Sequence, residues 1–299
     1  MTRRQDLQHR RHSLNEIINI LDAMKMLAQM ESHHLEQCLQ AQHRVVAAIL
    51  TVANDFLSFY PQTLPESPQA TPVYLMIGSE RGFCGHFNHA LLSEFEQCLQ
   101  QAEVRPTVLV VGRKLFSLVE DDTLLHARIK GPSVAEDVPA VLEEIVETLM
   151  ALQQQQPRMT LFGVYHQGEQ GILTQQLLPP FQQSLLQQQP HQQQQSHQAQ
   201  QPPPRFSYPP ALNLSPTEFL LGVARQYLFA ALHEVLYASL LEENRSRSTH
   251  LEGAVRHLED LSGELAQQLN QLRREEITEE IEVLLLNAGR LEQERAKRR

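Results

Sequence analysis

At 299 residues and 34.2 kDa, the chain is long enough for one compact domain with an extension, or for two small domains. Only 41% of it is hydrophobic and 6% aromatic, with no Trp, which is thin for a single large globule and fits a chain that spends many residues on long helices. The net charge of -10 argues against a generic nucleic-acid binder, because phosphate neutralisation needs a basic footprint.

No unbroken run of about 18 apolar residues occurs, so no membrane-spanning segment is expected. The charged start, Met1 to Arg11, predicts no signal peptide. Cys38, Cys84 and Cys98 are too few and too scattered for a disulfide framework or a metal knuckle, and a reducing compartment is the simplest reading.

The first segment, residues 1–60, is read as one helix over 13–60. Gly and Pro are absent there, so nothing breaks the helix. Leu14, Ile17, Leu21, Met24, Ala28, Glu31, Leu35, Cys38, Gln42, Val45, Ile49, Val52, Phe56 and Phe59 follow an alternating spacing of three and four, and all but Glu31 and Gln42 are apolar or small. A stripe held at that period is a coiled-coil seam. Ser13 and Glu16 read as a capping box at its start, and Pro61, Pro65, Pro68 and Pro72 end it.

Residues 61–178 read as a small α/β domain. Val73–Gly78 and Thr107–Gly112 are short apolar runs that stop at Gly, Met159–His166 is a third candidate strand, and Ile172–Leu178 a weaker fourth. Helical stretches near 88–101, 113–119 and 134–152 alternate with them, which predicts a largely parallel sheet of Rossmann-like type. Residues 179–212 continue a low-complexity stretch: fourteen of the 27 residues from Gln175 to Gln201 are Gln. Such a segment buries too little apolar surface to offset chain entropy and is expected to be a loose surface loop.

Residues 213–299 read as a second long helix. Ser215, Pro216 and Glu218 are an N-cap, a first-turn Pro and an acidic first turn. Leu251, Val255, Leu258, Ser262, Leu265, Leu269 and Leu272 repeat at heptad spacing. Their register does not run back through Glu242 to His250, so a change of packing partner is expected there. Two exposed seams at opposite ends of one chain cover each other most simply as an antiparallel pair. The fold class expected is therefore α/β plus long α: an antiparallel coiled coil of the terminal helices around a small central α/β domain.

Three motifs then resemble the gamma subunit of F-type ATP synthases. Ile18 to Ala28, INILDAMKMLA, is similar to that family's N-terminal Ala-Met-x-Met helix motif. Gly78 to Asn88, GSERGFCGHFN, is similar to its Ser-Asp-Arg-Gly-Leu-Cys-Gly-Gly-Leu-Asn loop, with Ser79, Arg81, Gly82, Cys84, Gly85 and Asn88 in place. Glu243, Asn244 and Arg247 fit its Ser-Glu-Asn-x-x-Arg segment, and Asn270 to Leu291 fits its closing helix segment. Departures stand beside these: Asp22 precedes Ala23, Gln29 to His34 has no Lys or Arg, and the tail Glu292 to Arg299 is an added charged end. They resemble a divergent branch, of the separately encoded kind proposed to move sodium ions.

The resemblance implies a rotor shaft in the F1 sector, peripheral on the cytoplasmic face of the bacterial inner membrane. Its implied partners are the alpha and beta subunits, the epsilon subunit and the c-ring of Fo, without membrane insertion or nucleic acid. It implies no catalytic, cofactor-binding or metal residue in this chain. Met24 and Lys25 are implied to meet the beta levers, with Lys25 facing an acidic one. Arg81, Glu243 and Arg247 are further candidates for subunit contact, the last two being either contacts or simply exposed. The residues themselves agree on chemistry. The SERGFCG loop has neither GxGxxG nor GxxxxGK[ST] spacing and reads as a tight turn in which Gly82 and Gly85 permit positive φ. Gly112-Arg113-Lys114 is a plain strand-to-helix turn. Cys84 beside Arg81 could be a reactive thiol, though no Cys-His-Asn set accompanies it. His33 and His34 diverge on a helix, and His191 and His197 lie in the Gln-rich stretch. Two other readings are a free-standing coiled-coil scaffold, which leaves the α/β insert unexplained, and a small α/β enzyme, which needs a cluster of polar groups at the strand ends.

Overall fold

The computed structural model describes residues 3–63, 70–101, 104–119, 124–181 and 208–297. In chain order the elements are α1 (Arg3–Phe59), β1 (Thr71–Ile77), α2 (Phe87–Gln101), β2 (Thr107–Val111), α3 (Arg113–Phe116), β3 (Leu125–Ile129), α4 (Val138–Gln155), β4 (Met159–His166), β5 (Ile172–Leu178) and α5 (Pro216–Lys297). The chain folds as two compact units, one of Met1–Leu27 with Ser248–Arg299, the other Ala28–Arg247. Most of the expected Gln/Pro-rich loop, 182–207, lies outside the described residues.

The Ala28–Arg247 unit is built on a five-stranded sheet in the order β3-β2-β1-β4-β5. β1 pairs in parallel with β2 and β4, β2 in parallel with β3, and β5 closes one edge antiparallel to β4. Side chains alternate across the sheet. Val73, Leu75 and Ile77 of β1 enter a core with α4, the Leu35–Leu57 part of α1 and the Leu220–Leu241 part of α5. Tyr74 and Met76 enter a second core with Leu91 and Phe95 of α2 and Leu115 of α3. Tyr74 stacks on Phe162 of β4, with ring centroids 5.3 Å apart, and meets Phe95 edge-on at 5.4 Å. Both sheet faces are therefore covered, which is what lets β1, β2 and β4 be continuous apolar runs.

Three expectations need correction here. Strand β3 was not foreseen, because Leu125-His126-Ala127-Arg128-Ile129 puts His126 and Arg128 outward at the sheet edge and breaks the apolar run. Helix α1 starts at Arg3 rather than Ser13, so Ser13 caps nothing, and Glu16 lies near His12 (3.4 Å) one turn back. The added turns have a partner, since Arg4 Nη1 bonds Glu276 Oε2 at 2.8 Å. The seam of α1 also slips: Ala28 and Leu35 are buried as expected, but Val45 and Val52 are exposed and their neighbours Val46 and Ala53 are buried instead. An ordinary helix drifts against a strict seven-residue repeat, so a register held over many turns changes face.

Within each unit the two long helices are antiparallel. In the Ala28–Arg247 unit Glu36 pairs with Arg245 (2.6 Å), His43 with Glu234 (2.6 Å), and Phe56 packs on Phe219 with centroids 4.7 Å apart. In the other unit Asn15 Oδ1 accepts from Ser262 Oγ at 3.0 Å. Leu251, Val255 and Ser262 are buried there, and Leu258, Leu265, Leu269 and Leu272 are half-buried, so the heptad seam of α5 is observed. The cap of α5 also forms: Ser215 Oγ accepts from the Glu218 N–H (3.3 Å), and the Glu218 carboxylate accepts from the Ser215 N–H (3.1 Å). Although no unbroken apolar run exists, one 18-residue window within Pro216–Leu285 reaches a mean hydropathy of 1.2. By length and composition alone it could cross a membrane, but Leu220, Ala231, Leu232, Val235 and Leu236 pack into the protein's own core.

The strand ends meet at two glycines. Gly112 has φ +103°, and a Cβ there would stand 2.6 Å from the Gly78 carbonyl oxygen. Gly168 also has positive φ, +47°, but a Cβ would meet nothing within 4 Å. Gly112→Ala is therefore expected to cost about 3 kcal/mol or more, from strain plus overlap, and Gly168→Ala only about 1–2 kcal/mol. Urea unfolding of the two variants checks the difference.

Candidate functional site

The loop between β1 and α2 is held by charged groups that the fold takes out of water. Glu243 on α5 is 3% exposed and its neighbour one turn on, Arg247, 4%. The Glu243 carboxylate accepts the backbone N–H of Glu80 and of Arg81, both at 3.1 Å, and pairs closely with Arg247 Nη2. Arg247 gives two further donors to the same loop, Nε to the Gly82 carbonyl (3.2 Å) and Nη2 to Cys84 Sγ (3.5 Å), and Nη1 to Asn244 Oδ1 on its own helix (2.7 Å). Asn244 is set in turn by Nδ2 donating to the Leu240 carbonyl at 2.9 Å. One helical turn of α5 thus grips Glu80, Arg81, Gly82 and Cys84. Ser239, one turn earlier, donates to the Ile77 carbonyl at the end of β1 (3.1 Å).

The other side of the loop is pinned to the first turn of α2 and to the backbone just past the ends of β2 and β3. Asn88 Oδ1 accepts from the Ser79 N–H (2.9 Å) and Nδ2 donates to Ser79 Oγ (2.8 Å). Glu80 turns its carboxylate to Arg113 and Gly131, past the ends of β2 and β3. The turn does not use Gly82 as expected. The left-handed residues are Phe83, at φ 64°, and Gly85, at φ 56°. Phe83 is half-exposed, in a conformation that costs a non-glycine residue about 1 kcal/mol or more, so the fixed groups beneath it over-determine the loop.

The electrostatics follow from burial. Burial pushes the Glu243 carboxyl up, while Arg247 and the two N–H donors pull it back toward the charged form. Cys84 is not the reactive thiol its neighbour Arg81 implied: burial first, and the Glu243 charge second, push it up to about 11, so it is a thiol at neutral pH. His166, at the end of β4, lies flat on Phe87 with ring centroids 3.8 Å apart, and its Nε2 is 2.9 Å from the Phe87 carbonyl oxygen. That carbonyl can only accept, so Nε2 carries the proton. Burial lowers the His166 pKa below its ordinary value, against the pull of that hydrogen bond.

The five residues singled out from sequence fall into two sets. Arg81, Glu243 and Arg247 come together in the Ala28–Arg247 unit, but only the Arg81 side chain is exposed. Glu243 and Arg247, expected at a subunit contact or in solvent, face this chain's own loop. Met24 and Lys25 belong to the other unit and are half-buried. Lys25 Nζ donates to Asp22 Oδ1 at 2.7 Å, and that bond is the main reason its pKa is raised; Glu252 and Glu259 on α5 add to it. Glu80, Arg113 and Gly131 were missed. The signal available was Glu80 itself, an acid in a loop between glycines where the resembling family carries Asp. Among the described residues no group of three or more His, Cys, Asp or Glu side chains could hold a metal ion.

The ATP synthase family model matches residues 3–285. The chain is 23% identical to the ATP synthase gamma chain of Caldanaerobacter subterraneus subsp. tengcongensis, over 96% of this chain and 99% of that one. It is 22% identical to the gamma chain of Akkermansia muciniphila, over 92% and 94%. Its fold is similar to a chain in the central stalk and c-ring structure of the Tetrahymena thermophila mitochondrial ATP synthase (TM-score 0.55, 17% identity, 79% of this chain and 99% of that one). It is similar also to a chain in the OSCP/F1/c-ring structure of the Euglena gracilis enzyme (TM-score 0.54, 15% identity, 96% and 94%).

Two outcomes test the site's energetics. Glu243→Gln leaves Arg247 buried without its counter-charge and is expected to cost about 3–5 kcal/mol. The double variant with Arg247→Met should cost less than the two single variants together, as a double-mutant cycle in urea would show. His166, neutral in the fold, gives stability that is complete above its unfolded pKa of about 6.5. As pH falls below that value the unfolded chain takes up the proton first, so stability declines until the folded pKa is reached. The decline is at most about 1.4 kcal/mol per pH unit, and His166→Gln should flatten it in pH-dependent unfolding curves.

Proposed function

The chain belongs to the ATP synthase family, as a gamma chain, and on that premise we propose that it is the central rotor shaft of an F1Fo ATP synthase. It couples ion flow through the membrane ring to ATP synthesis or hydrolysis in the alpha/beta hexamer. The observation that carries this reading is the family match over residues 3–285, which takes in α1, the whole sheet and α5 as far as Leu285. In this reading residues 1–60 and 213–299 form the shaft and 61–178 the foot. The partners are the alpha and beta subunits, the epsilon subunit and the c-ring. The chain sits peripherally, as part of the F1 sector, on the cytoplasmic face of a bacterial inner membrane.

The physical argument is one of stiffness and asymmetry. Two helices packed side by side resist bending better than one, and interlocked side chains keep them from sliding. A pair of unlike helices presents a different face in each direction. Three identical catalytic subunits around it then experience different contacts, and each contact favours a different conformation of its subunit. Turning the pair moves each subunit through those conformations in sequence. The chemistry resides in the hexamer, and this chain has no catalytic site of its own. Lys25 has three N–H donors, of which Asp22 takes one, and in this reading another meets an acidic group on a beta lever.

Co-expression with the other F1 subunits should yield a stoichiometric complex, whereas this chain alone should hydrolyse no ATP. A complex that forms and couples equally well without it would overturn the reading. Lys25→Glu in the assembled enzyme should lower ion pumping per ATP hydrolysed while leaving assembly intact. Unchanged coupling would remove the Lys25 contact and leave the shaft assignment standing.

A further inference from the structure

Glu80 is 4% exposed, and its carboxylate does not face solvent or the helix that holds its backbone. Oε2 accepts the Arg113 N–H at 3.0 Å and the Gly131 N–H at 2.9 Å, and Oε1 pairs closely with Arg113 Nε. Glu80, Arg113 and Gly131 stand just past the carboxyl ends of β1, β2 and β3. Open α/β sheets hold their ligands outside these ends. The backbone approaches closely: a Cβ on Gly131 would lie 3.2 Å from Glu80 Cβ and 3.2 Å from Gly112 Cα. Two backbone N–H groups converging on one oxygen, with a guanidinium on the other, are the donors that bind a small oxyanion.

We propose that the carboxyl ends of β2 and β3 form an oxyanion-binding site which the chain fills with its own Glu80 carboxylate. The native sheet is closed to phosphate-bearing ligands at this point because the ligand is already covalently attached. Removing the carboxylate opens the site to inorganic phosphate. The same residue gives its backbone N–H to Glu243, so filling the site also ties the strand ends to α5. The proposal stands whichever proteins the chain assembles with.

The test uses the full chain as wild type, Glu80→Ala and Glu80→Gln, unfolded thermally in phosphate, in acetate and in chloride at matched ionic strength. Glu80→Ala should melt several degrees below wild type. Phosphate should raise its midpoint by a few degrees where chloride does not, because an anion bound only by the folded state stabilises it. Acetate distinguishes the source: a larger rescue than phosphate marks a pocket shaped for a carboxylate, and a smaller one a pocket that takes phosphate. Wild type and Glu80→Gln, whose sites are filled, should not respond. Equal shifts in all three proteins would mean an adventitious ion only and would overturn the proposal, as would no anion-specific shift in Glu80→Ala. Should Glu80→Ala not fold in chloride, its refolding from urea in phosphate gives the same answer. Recovery of the helical signal in phosphate supports the site, and none refutes it.

Discussion

The constraint on which the Ala28–Arg247 unit depends is that a carboxylate and a guanidinium, once taken out of water, must find every donor and acceptor they need inside the protein. Glu243 and Arg247 lie one turn apart on α5, beneath a loop that connects a strand to a helix. Bare, that loop would leave the N–H groups of Glu80 and Arg81 and the carbonyl of Gly82 unpaired. The two side chains satisfy these groups and are satisfied by them. The loop has its shape because α5 has these two residues, and α5 keeps them buried because the loop has that shape. Each half satisfies the other's buried polar groups, and this mutual fixing holds the positive-φ backbone at Phe83 in the middle of the loop.

The same helix meets two different demands along its length. Between Ala230 and Leu241 it is buried on most sides, with Ala231, Leu232, Val235, Leu236 and Leu240 all in the core. Beyond Ser248 its apolar face narrows to the heptad seam from Leu251 to Leu272. A wide face suits a helix set between a sheet and another helix, and a narrow one suits a helix with a single partner. The polar turn containing Glu243, Asn244 and Arg247 separates these regimes, and the unit boundary after Arg247 coincides with it.

Much of this was legible from the residues, and the exceptions share a cause. Strands β1, β2 and β4 are covered on both faces, so each reads as an apolar run, the first two stopping at Gly. β3 is an edge strand with two of its five residues outside, and five residues of alternation are too short a signal to separate from a loop. The seam of α5 was readable because leucines mark it without ambiguity. In α1, Val45 and Val46 are adjacent, as are Val52 and Ala53, and only packing decides which of each pair turns inward. Ser13 looked like a cap because local chemistry permits it, yet partners such as Glu276, far away in sequence, make the earlier turns worth forming. The polar site was least legible of all. A buried Glu and a solvated Glu are the same letter, and the donors that make burial of Glu80 and Glu243 tolerable are backbone groups, which every sequence has everywhere.

One consequence concerns chemical labelling. Burial pushes the Cys84 thiol up to about 11, so its sulfur stays protonated at pH 7, and it lies beneath the loop's own backbone. Maleimides and other thiolate-seeking dyes will therefore pass it over in the folded chain. The free thiols that compete with a fluorophore or bead tether on an added surface cysteine are the half-buried Cys38 and Cys98, so those two are replaced first and Cys84 can stay in its hydrogen-bonded seat.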